Sequence, residues 1–262
     1  MPQPRFMKEK QSAMEIEVDL SVCIVCTGSC QGLRRQLRSI AATADPVSTE
    51  TIVIHGPPTG ELARLHEEFA ATKFFETDPG ESFPVAVNRA LRLARGRYAA
   101  LCHAELVFAE RTLLTMIAFM EDHPEAGLVA PMICNGEGKP QPTIGKPPSL
   151  FQIVRSWNDL SKLYFTPGNE PRSPQPLEVD SIKTICLVVR REALEDIGLL
   201  DELFDHGLFD FDFCRRARRR GWHLFLLPSS RVQLFGQLAK NLVLRDVMRF
   251  YAKNWFHLKS IY

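Results

Sequence analysis

Short apolar runs alternate with segments of helical periodicity through the first half of the chain. The first run is Leu20–Cys26 (LSVCIVC) and the second is 51–55 (TIVIH). Both are continuous and rich in β-branched residues, which is typical of strands buried on both faces of a parallel sheet. Between them, leucine and isoleucine recur every three or four residues, which predicts amphipathic helices. We expect further strands at 73–76, 98–102 and 127–133, and helices at 33–40, 62–69, 85–94 and 113–120.

This alternation of strands and helices predicts an α/β fold built on one Rossmann-like, doubly wound, mostly parallel sheet. In such sheets, ligands bind beyond the carboxyl ends of the strands. The loops at 27–30, 55–60, 77–82 and 102–106 follow predicted strands or precede predicted helices at that edge. They are therefore the candidate ligand-binding loops.

The second half of the chain has a different pattern. Residues 134–175 include KPQPTIGKPP and TPGNEPRSPQP, and this density of proline and glycine predicts a long irregular lid or acceptor-binding wall. Residues 179–190 predict one strand, 191–197 a short helix and 223–227 a last strand. Aromatic residues alternate with Lys and Arg over 238–256, which predicts an amphipathic helix that either docks on the core or rests on a membrane interface.

These patterns divide the chain into a polar extension at 1–18, an α/β domain at 19–235 and a C-terminal amphipathic helix at 236–262. The 262 residues carry a formal charge of +1 and are 45% hydrophobic, as expected for a globular protein with a sizeable core and no nucleic-acid partner. No stretch reaches the ~18 apolar residues that suggest a membrane span. The first residues lack the apolar core of a secretory signal, which favours a cytoplasmic location, either free or peripheral at the inner face of the membrane.

Seven cysteines give an odd number with irregular spacing. Cys23, Cys26 and Cys30 lie close enough in sequence to compare with a metal site. A three-residue step along a strand places Cys23 and Cys26 on opposite faces, however, and no second CxxC motif follows. We therefore expect reduced core thiols rather than a metal site.

An acidic and apolar stretch, LDELFDHGLFDFDFCRRARRRGW, begins at Leu200 and ends at Trp222. A carboxylate in an apolar pocket has a raised pKa, which suits a general base. The alternative is an acidic helix start followed by a solvated basic face, which the helix dipole favours. The acidic residues are Asp201, Glu202, Asp205, Asp210 and Asp212.

Three stretches resemble, in order, a family-2 glycosyltransferase of the GT-A fold, closest to the rhamnosyltransferase-like branch. They are LSVCIVCTGS, the segment from FPVAVNRALRLARGRY to MEDHPEAGLVAPMI, and the segment from ICLVVRREALEDIG to GWHLFLLP. The resemblance covers about 19–256 and implies one GT-A domain with a C-terminal helical extension. It also implies inverting transfer of a sugar from a nucleotide-diphosphate sugar to a glycan, lipid-linked or protein acceptor, with a divalent metal, manganese or magnesium. The C-terminal helix then offers a peripheral membrane contact or a protein contact.

The resemblance assigns the metal and the base to particular residues. The metal-binding tripeptide of the family falls on His103-Ala104-Glu105, which implies Glu105 as a metal ligand and His103 as its partner. Asp210 matches the retained acid of the family's Glu-Asp pair and is the expected general base. Its alternative role is a helix N-cap, a position where Asp is favoured.

The remaining site residues each have a structural alternative. Thr27, His55, Asn88 and His103 are the expected donor-binding residues, although His55 alternatively ends a strand and Asn88 alternatively fixes a loop. Asp201 and Glu202 are expected to meet the acceptor or to tie the acceptor loop together. For Asp212, the expectation is a cap or an ion pair with Arg215 or Arg216.

Several positions depart from the family pattern. The acid usual at the end of the second strand is His55, the loop after it is GPPTG, and the Glu of the Glu-Asp pair is Phe209. Thr184 and Gln233 replace a usual glycine and a usual histidine. These departures motivate an alternative function, a catalytically degenerate GT-A module that acts as a binding or scaffold protein. A nucleotidyltransferase is a third reading, for which TGSCQGLRR is only a faint match to a phosphate-binding loop.

Overall fold

The structure is a computed structural model that describes residues 18–26, 32–43, 47–57, 60–156, 159–166, 175–205, 207–236 and 244–258. Its strands are β1 Leu20–Cys26, β2 Thr49–His55, β3 Lys73–Glu76, β4 Tyr98–His103, β5 Leu106–Phe108, β6 Ala126–Cys134, β7 Ile144–Gly145, β8 Tyr164–Phe165, β9 Leu177–Glu178, β10 Ser181–Ile182, β11 Cys186–Arg190 and β12 His223–Leu234. Its helices are α1 Leu33–Thr43, α2 Gly60–Glu68, α3 Phe83–Leu93, α4 Thr112–Asp122, α5 Leu150–Arg155, α6 Arg191–Ile197, α7 Phe209–Arg219 and α8 Leu244–Leu258, with a 3₁₀ helix at Leu160–Leu163.

One mixed, mostly parallel sheet organises the molecule. Its strand order is β3-β2-β1-β4-β11-β6-β12-β5, and β9 also pairs with β12. The first four strands of this order, β3, β2, β1 and β4, are parallel to one another, as predicted, and β12 is parallel to β6. By contrast, β11 lies antiparallel between β4 and β6. The predicted α/β fold with a mostly parallel sheet is therefore confirmed, with one reversed central strand that the sequence pattern does not show.

The sheet is buried on both faces, which explains the continuous apolar runs. All seven residues of β1 are buried. Cys23 and Val25 pack into the core on one face with α3, α7 and α8, whereas Val22 and Ile24 pack into the core on the other face with α1 and α4. Because successive side chains of a strand point to opposite faces, a strand covered by helices on both sides needs apolar residues throughout.

The expected single strand at 179–190 is wrong. The structure divides it into β10 and β11, separated by a tight turn in which the Ile185 amide donates to the Lys183 carbonyl at 2.7 Å. β10 joins β7 and β8, two strands of the proline- and glycine-rich region, in a separate three-stranded antiparallel sheet. The run is apolar on both sides of the turn, so its pattern does not reveal that the chain changes sheets.

Strand β12 extends well beyond the predicted 223–227 because its pairing with β6 continues across an irregularity between Leu227 and Arg231.

Helix α8 lies within the predicted C-terminal segment, and 237–243 are outside the described residues. Val247 and Phe250 of α8 are buried in the core. Of the two alternatives predicted for this helix, the structure therefore shows docking on the core. The proposed division at 18 and 235 stays a prediction. Within the described ranges, none of the helices has the length and apolar character needed to cross a membrane.

Candidate active site

Three parallel strands end side by side at the carboxyl edge of the sheet. In the register of these strands Cys26 lies beside His55, and Val25 lies beside His103. Parallel pairing thus brings two of the expected site residues, His55 and His103, to one edge. Thr27, the third donor-binding residue expected here, lies outside the described residues.

Asp210 lies in the first turn of α7 and is 5% exposed. Its Oδ1 accepts a hydrogen bond from the Thr184 amide at 3.0 Å, and its Oδ2 accepts one from the Tyr164 hydroxyl at 2.8 Å. The helix N-cap is Leu208, which has a left-handed backbone with φ 63°. The N-cap alternative for Asp210 is therefore wrong, since its carboxylate binds groups from other elements.

The surroundings of Asp210 set its protonation. Burial raises the pKa of the Asp210 carboxyl above its ordinary value, while hydrogen bonds from Thr184 and Tyr164 and the charge of Lys183 oppose that rise. The carboxyl that the sequence analysis placed in an apolar pocket is thus buried and less acidic than usual. Such a group holds a proton more readily than an exposed carboxylate does, which suits a general base.

Lys183 and Tyr164 are site residues that the sequence analysis missed. The Lys183 ammonium lies 5.0 Å from the centre of the Tyr164 ring. Burial lowers the pKa of Lys183, and the charge of Asp210 opposes that shift. Tyr164 stacks on Phe211 at 5.0 Å between ring centres. Tyr164 lies in a two-residue strand of the irregular region, and Lys183 lies in the turn that interrupts the predicted strand at 179–190. Local periodicity is too brief in both places to indicate which side chains face the sheet.

His103 ends β4 beside the ring of Phe83. Its imidazole stacks on Phe83 with 5.6 Å between ring centres, and Phe83 lies 5.8 Å from Phe209. The His103 Nδ1 lies 3.2 Å from the Ala104 carbonyl oxygen, which can only accept, so this contact places the proton on Nδ1. Burial lowers the pKa of His103. A neutral ring with a free Nε2 lone pair is the form of histidine that binds metals.

Glu105 has a left-handed backbone, with φ 70°, in the turn between β4 and β5. Its side chain packs tightly between Gly32 and Gly236, and a Cβ on Gly32 would lie 2.7 Å from the Glu105 Cγ. It lines a cavity of about 180 Å³ together with Arg35. Among the described residues, no side chain pairs with the Glu105 carboxylate. The carboxylate is therefore available to a ligand, and two glycines make room for it.

The residues fit a divalent metal only in part. Within the described portion of the chain, no group of three or more His, Cys, Asp or Glu residues could hold a metal ion. A cation bound mainly by substrate phosphates needs only one or two protein ligands, however. Glu105, with an unpaired carboxylate, and His103, with a neutral imidazole, are chemically suited to that smaller role.

Asn88 is fully engaged with the loop that follows α6. Its Oδ1 accepts from the Leu200 amide at 2.9 Å, and its Nδ2 donates to the Leu200 carbonyl at 2.8 Å and to Glu202 Oε1 at 2.9 Å. Glu202 also pairs with Arg92 at 2.7 Å. These contacts match the loop-fixing alternative for Asn88 and Glu202. Their donor- and acceptor-binding roles stay predictions.

Helix α8 holds the same loop from the other side. Asp201 accepts from Lys253 at 2.8 Å and from Arg249 at 3.1 Å. Lys253 also pairs with the buried Asp212 at 2.9 Å. Asp212 in turn pairs with Arg216 at 2.9 Å, which is one of the two partners expected for it. Asp201 thus ties the loop to α8, which matches the alternative expectation that Asp201 holds this loop together.

His55 is buried, and its Nδ1 lies 2.6 Å from the Gly56 carbonyl oxygen. Its ring lies 5.8 Å from the ring of His66. These contacts fit a residue that ends a strand, the alternative given for it, and its donor-binding role stays a prediction.

The cysteines contribute packing. Five of them are buried free thiols, and burial raises the pKa of Cys23 and of Cys214 to about 12. Thiols this weakly acidic are unreactive. The expectation of reduced thiols is wrong for Cys26, which is disulfide-bonded.

The folded chain belongs to a known structural class, the GT-A α/β fold. A crystal structure of GalNAc-T7 with UDP, GalNAc and Mn²⁺ aligns with a TM-score of 0.71 at 17% identity, over 94% of this chain and 49% of that one. A crystal structure of residues 1–349 of S. aureus TarS aligns with a TM-score of 0.58 at 16% identity, over 83% of this chain and 60% of that one. At these identities, the likeness shows the fold alone.

Residues 18–251 match the family described as "Glycosyltransferase like family 2", and the chain therefore belongs to that family. Curated relatives from two strains of Mycobacterium tuberculosis are each an "N-acetylglucosaminyl-diphospho-decaprenol L-rhamnosyltransferase". Each is 24% identical over 221 residues, which are 76% of this chain and 70% of the relative. The expected family-2, nucleotide-sugar glycosyltransferase class with a rhamnosyltransferase-like relationship is confirmed.

Proposed function

We propose that the chain transfers a sugar from a nucleotide diphosphate to a lipid-linked acceptor with inversion, and that Asp210 is the general base. The observation that carries this proposal is the buried Asp210 carboxylate, oriented by the Thr184 amide and the Tyr164 hydroxyl. A base in this reaction must be fixed in place and must accept a proton readily. Burial supplies the second property by raising the pKa of Asp210.

In the proposed reaction, an acceptor hydroxyl oxygen forms a bond to the anomeric carbon of the donor sugar. The bond from that carbon to the diphosphate breaks on the opposite side, and the diphosphate leaves with the bonding electrons. The hydroxyl proton moves to an Asp210 oxygen. Attack opposite to the leaving group inverts the anomeric carbon. Lys183, a cation partly buried beside Tyr164, limits the rise that burial causes in the pKa of Asp210.

Glu105 and His103 would hold the divalent metal through one carboxylate oxygen and the His103 Nε2. When bound, the metal neutralises the charge that grows on the departing diphosphate. The tight packing of Glu105 against Gly32 and Gly236 restricts its side chain to the cavity that it lines with Arg35. A carboxylate oriented in advance loses less conformational entropy when it binds an ion.

The lipid-linked acceptor is supported by the Mycobacterium tuberculosis relatives, whose name describes an N-acetylglucosaminyl-diphospho-decaprenol acceptor. Asp201 and Glu202 lie in the loop between α6 and α7, which leads to Asp210. We propose that this loop borders the acceptor site and that Asn88 and α8 fix its shape. A peripheral position at the inner face of a membrane follows from such an acceptor and stays part of the proposal.

Calorimetric titration with UDP, GDP and dTDP, each with and without Mn²⁺, tests the donor site. We expect Mn²⁺-dependent binding of one nucleotide, and we expect Glu105→Gln to abolish the dependence on Mn²⁺. Glu110→Gln is the matched control, because Glu110 is exposed and lies outside the cavity that Glu105 lines. If the folded protein binds none of the three nucleotides, the donor site is absent and the degenerate binding or scaffold module is the better account.

A further inference from the structure

A second cavity, of about 350 Å³, lies between α5, the 3₁₀ helix and β8. Its lining residues all come from the proline- and glycine-rich region at 134–175, outside the strands of the main sheet. Its lining includes three basic side chains, Lys146, Arg155 and Lys162, together with Tyr164 and Phe165. None of its described lining residues is acidic. The cavity is therefore distinct from the smaller one beside Glu105.

The three basic side chains are not neutralised locally. Lys146, Arg155 and Lys162 form no ion pair with any residue in the described part of the chain. This contrasts with the basic residues of α8, where Arg245, Arg249 and Lys253 all pair with carboxylates. Three unpaired cations around one cavity produce a positive potential that favours an anion carrying more than one charge.

Tyr164 connects this cavity to the proposed base. It lines the cavity, and its hydroxyl donates to Asp210 Oδ2 at 2.8 Å. Phe165, the next residue, is 47% exposed, and Phe151 on α5 is 73% exposed. An anionic group in the cavity would thus lie one residue from the proposed base and beside the exposed ring of Phe165.

We propose that this cavity binds the diphosphate of a polyprenyl-diphosphate-linked acceptor, with the prenyl chain leaving across Phe165 and Phe151. The inference rests on the proposed function, which requires an acceptor of this class. A diphosphate offers several oxygens to Arg155 and the two lysines, and arginine binds phosphate oxygens with two parallel hydrogen bonds. The acceptor sugar attached to that diphosphate then reaches the Asp210 side of Tyr164.

Vesicle flotation of the full chain tests this site. The vesicles are phosphatidylcholine with a small fraction of decaprenyl diphosphate, and parallel vesicles carry phosphatidylglycerol instead. The test variant combines Lys146→Gln, Arg155→Gln and Lys162→Gln. The matched control combines Arg64→Gln, Lys139→Gln and Arg219→Gln, which removes the same charge from exposed positions that do not line the cavity.

We expect the test variant to bind decaprenyl-diphosphate vesicles at least about tenfold more weakly than the wild type, with the control unchanged. Free inorganic pyrophosphate is expected to compete with the vesicles for the wild type. Equal binding by the test variant and the wild type would overturn the proposal. So would an equal loss on phosphatidylglycerol vesicles or in the control triple variant, since either result would indicate general surface attraction.

Nucleotide titration of the same preparations separates this inference from the proposed function. No described residue lines both this cavity and the cavity beside Glu105, so the test variant should bind nucleotide as the wild type does. Normal nucleotide binding with unchanged vesicle binding overturns the cavity proposal alone. Absence of nucleotide binding in the wild type overturns the proposed function, and the flotation result then decides by itself whether the cavity binds a lipid diphosphate.

Discussion

At the scale of single residues, Asp210 combines a fixed orientation with unfavourable ionisation. The Thr184 amide and the Tyr164 hydroxyl fix both carboxylate oxygens, yet burial still raises the pKa above its ordinary value. The ionised form of Asp210 is therefore less stable in the folded protein than in the unfolded chain. A residue that lowers stability in its ionised form is more readily explained by function than by folding.

Asp210→Asn should therefore separate activity from stability. We expect at least about a 100-fold loss of transfer, the lower end of what a general base contributes. A raised pKa gives stability that is present below the unfolded-state pKa and lost as pH rises through the folded-state pKa. At neutral pH the variant should thus be as stable as the wild type or more so, and this difference should shrink on acidification.

Urea unfolding of both proteins at neutral and acidic pH, alongside an assay of donor consumption, checks this pair of effects. Asp196→Asn is the control, because Asp196 is an acid on α6 that pairs with Arg220 and Trp222 away from Tyr164. An Asp210→Asn variant that keeps full transfer activity would exclude Asp210 as the base.

Tyr164→Phe should move the pH dependence of transfer. The Tyr164 hydroxyl stabilises the ionised carboxylate, and this hydrogen bond lowers the pKa of Asp210. Removing the hydroxyl raises that pKa further, so the acidic limb of the rate profile should shift to higher pH. Tyr98→Phe is the control, because it removes a buried hydroxyl that contacts Arg190 at the other end of β4 and not Asp210. The pH–rate profiles of the two variants should therefore differ, and an unshifted Tyr164→Phe profile would argue against Asp210 as the titrating group.

At the scale of secondary-structure elements, α8 determines the shape of the loop before Asp210. Asp246 is fully buried, and its two oxygens accept from the amides of Asp205 and Gly207 at 2.8 and 2.9 Å. Lys253 bridges Asp201 and Asp212. The C-terminal helix therefore joins the loop and the start of α7 into one unit. The apolar positions of its amphipathic pattern include Val247 and Phe250, which are buried in the core.

Asp246→Ala should destabilise the protein by roughly 2–6 kcal/mol, because the buried Gly207 amide and the part-buried Asp205 amide lose their acceptor and each unpaired group costs about 1–3 kcal/mol. Transfer activity should fall as well, since the loop that leads to Asp210 is released. Met248→Ala on the same helix should change stability by less than about 0.5 kcal/mol, as Met248 is 65% exposed. Denaturant unfolding measures both, and equal effects of the two substitutions would show that α8 does not hold the loop.

The sequence was most informative where one periodicity persists through a whole element. Leu20–Cys26, Lys73–Glu76 and Arg191–Ile197 have the bounds predicted from the pattern. The three-residue β5 and the two-residue β7, β8 and β10 are too short to show any period, and they depend on tertiary pairing alone. Lys183 and Tyr164 lie in or beside these short strands, which is why the sequence pattern pointed to Asp210 as a candidate but not to these two neighbours of it.

At the scale of the whole molecule, one sheet connects the proposed donor and acceptor sides. The carboxyl edge of β1, β2 and β4 carries His55 and His103, and the antiparallel β11 leads from the Lys183 turn into the same sheet. The core on one face of this sheet includes helix residues from both halves of the chain, and the core on the other face joins helices α1, α2 and α4 of the first half to residues of β11 and β12. A perturbation at either side must therefore be transmitted through shared strands, and the described elements should unfold together.

Ligand binding should consequently stabilise the whole chain in one step. A nucleotide at about 100 times its dissociation constant, with Mn²⁺, adds about 2.7 kcal/mol to the free energy of unfolding. For a chain of this size, each kcal/mol raises the melting temperature by about 2–4 °C, so the shift should be roughly 5–10 °C. Differential scanning calorimetry should show a single transition that moves as a unit, and Glu105→Gln should remove the part of the shift that needs Mn²⁺. Two transitions, of which only one responds to nucleotide, would show instead that the donor half and the region around α8 fold independently.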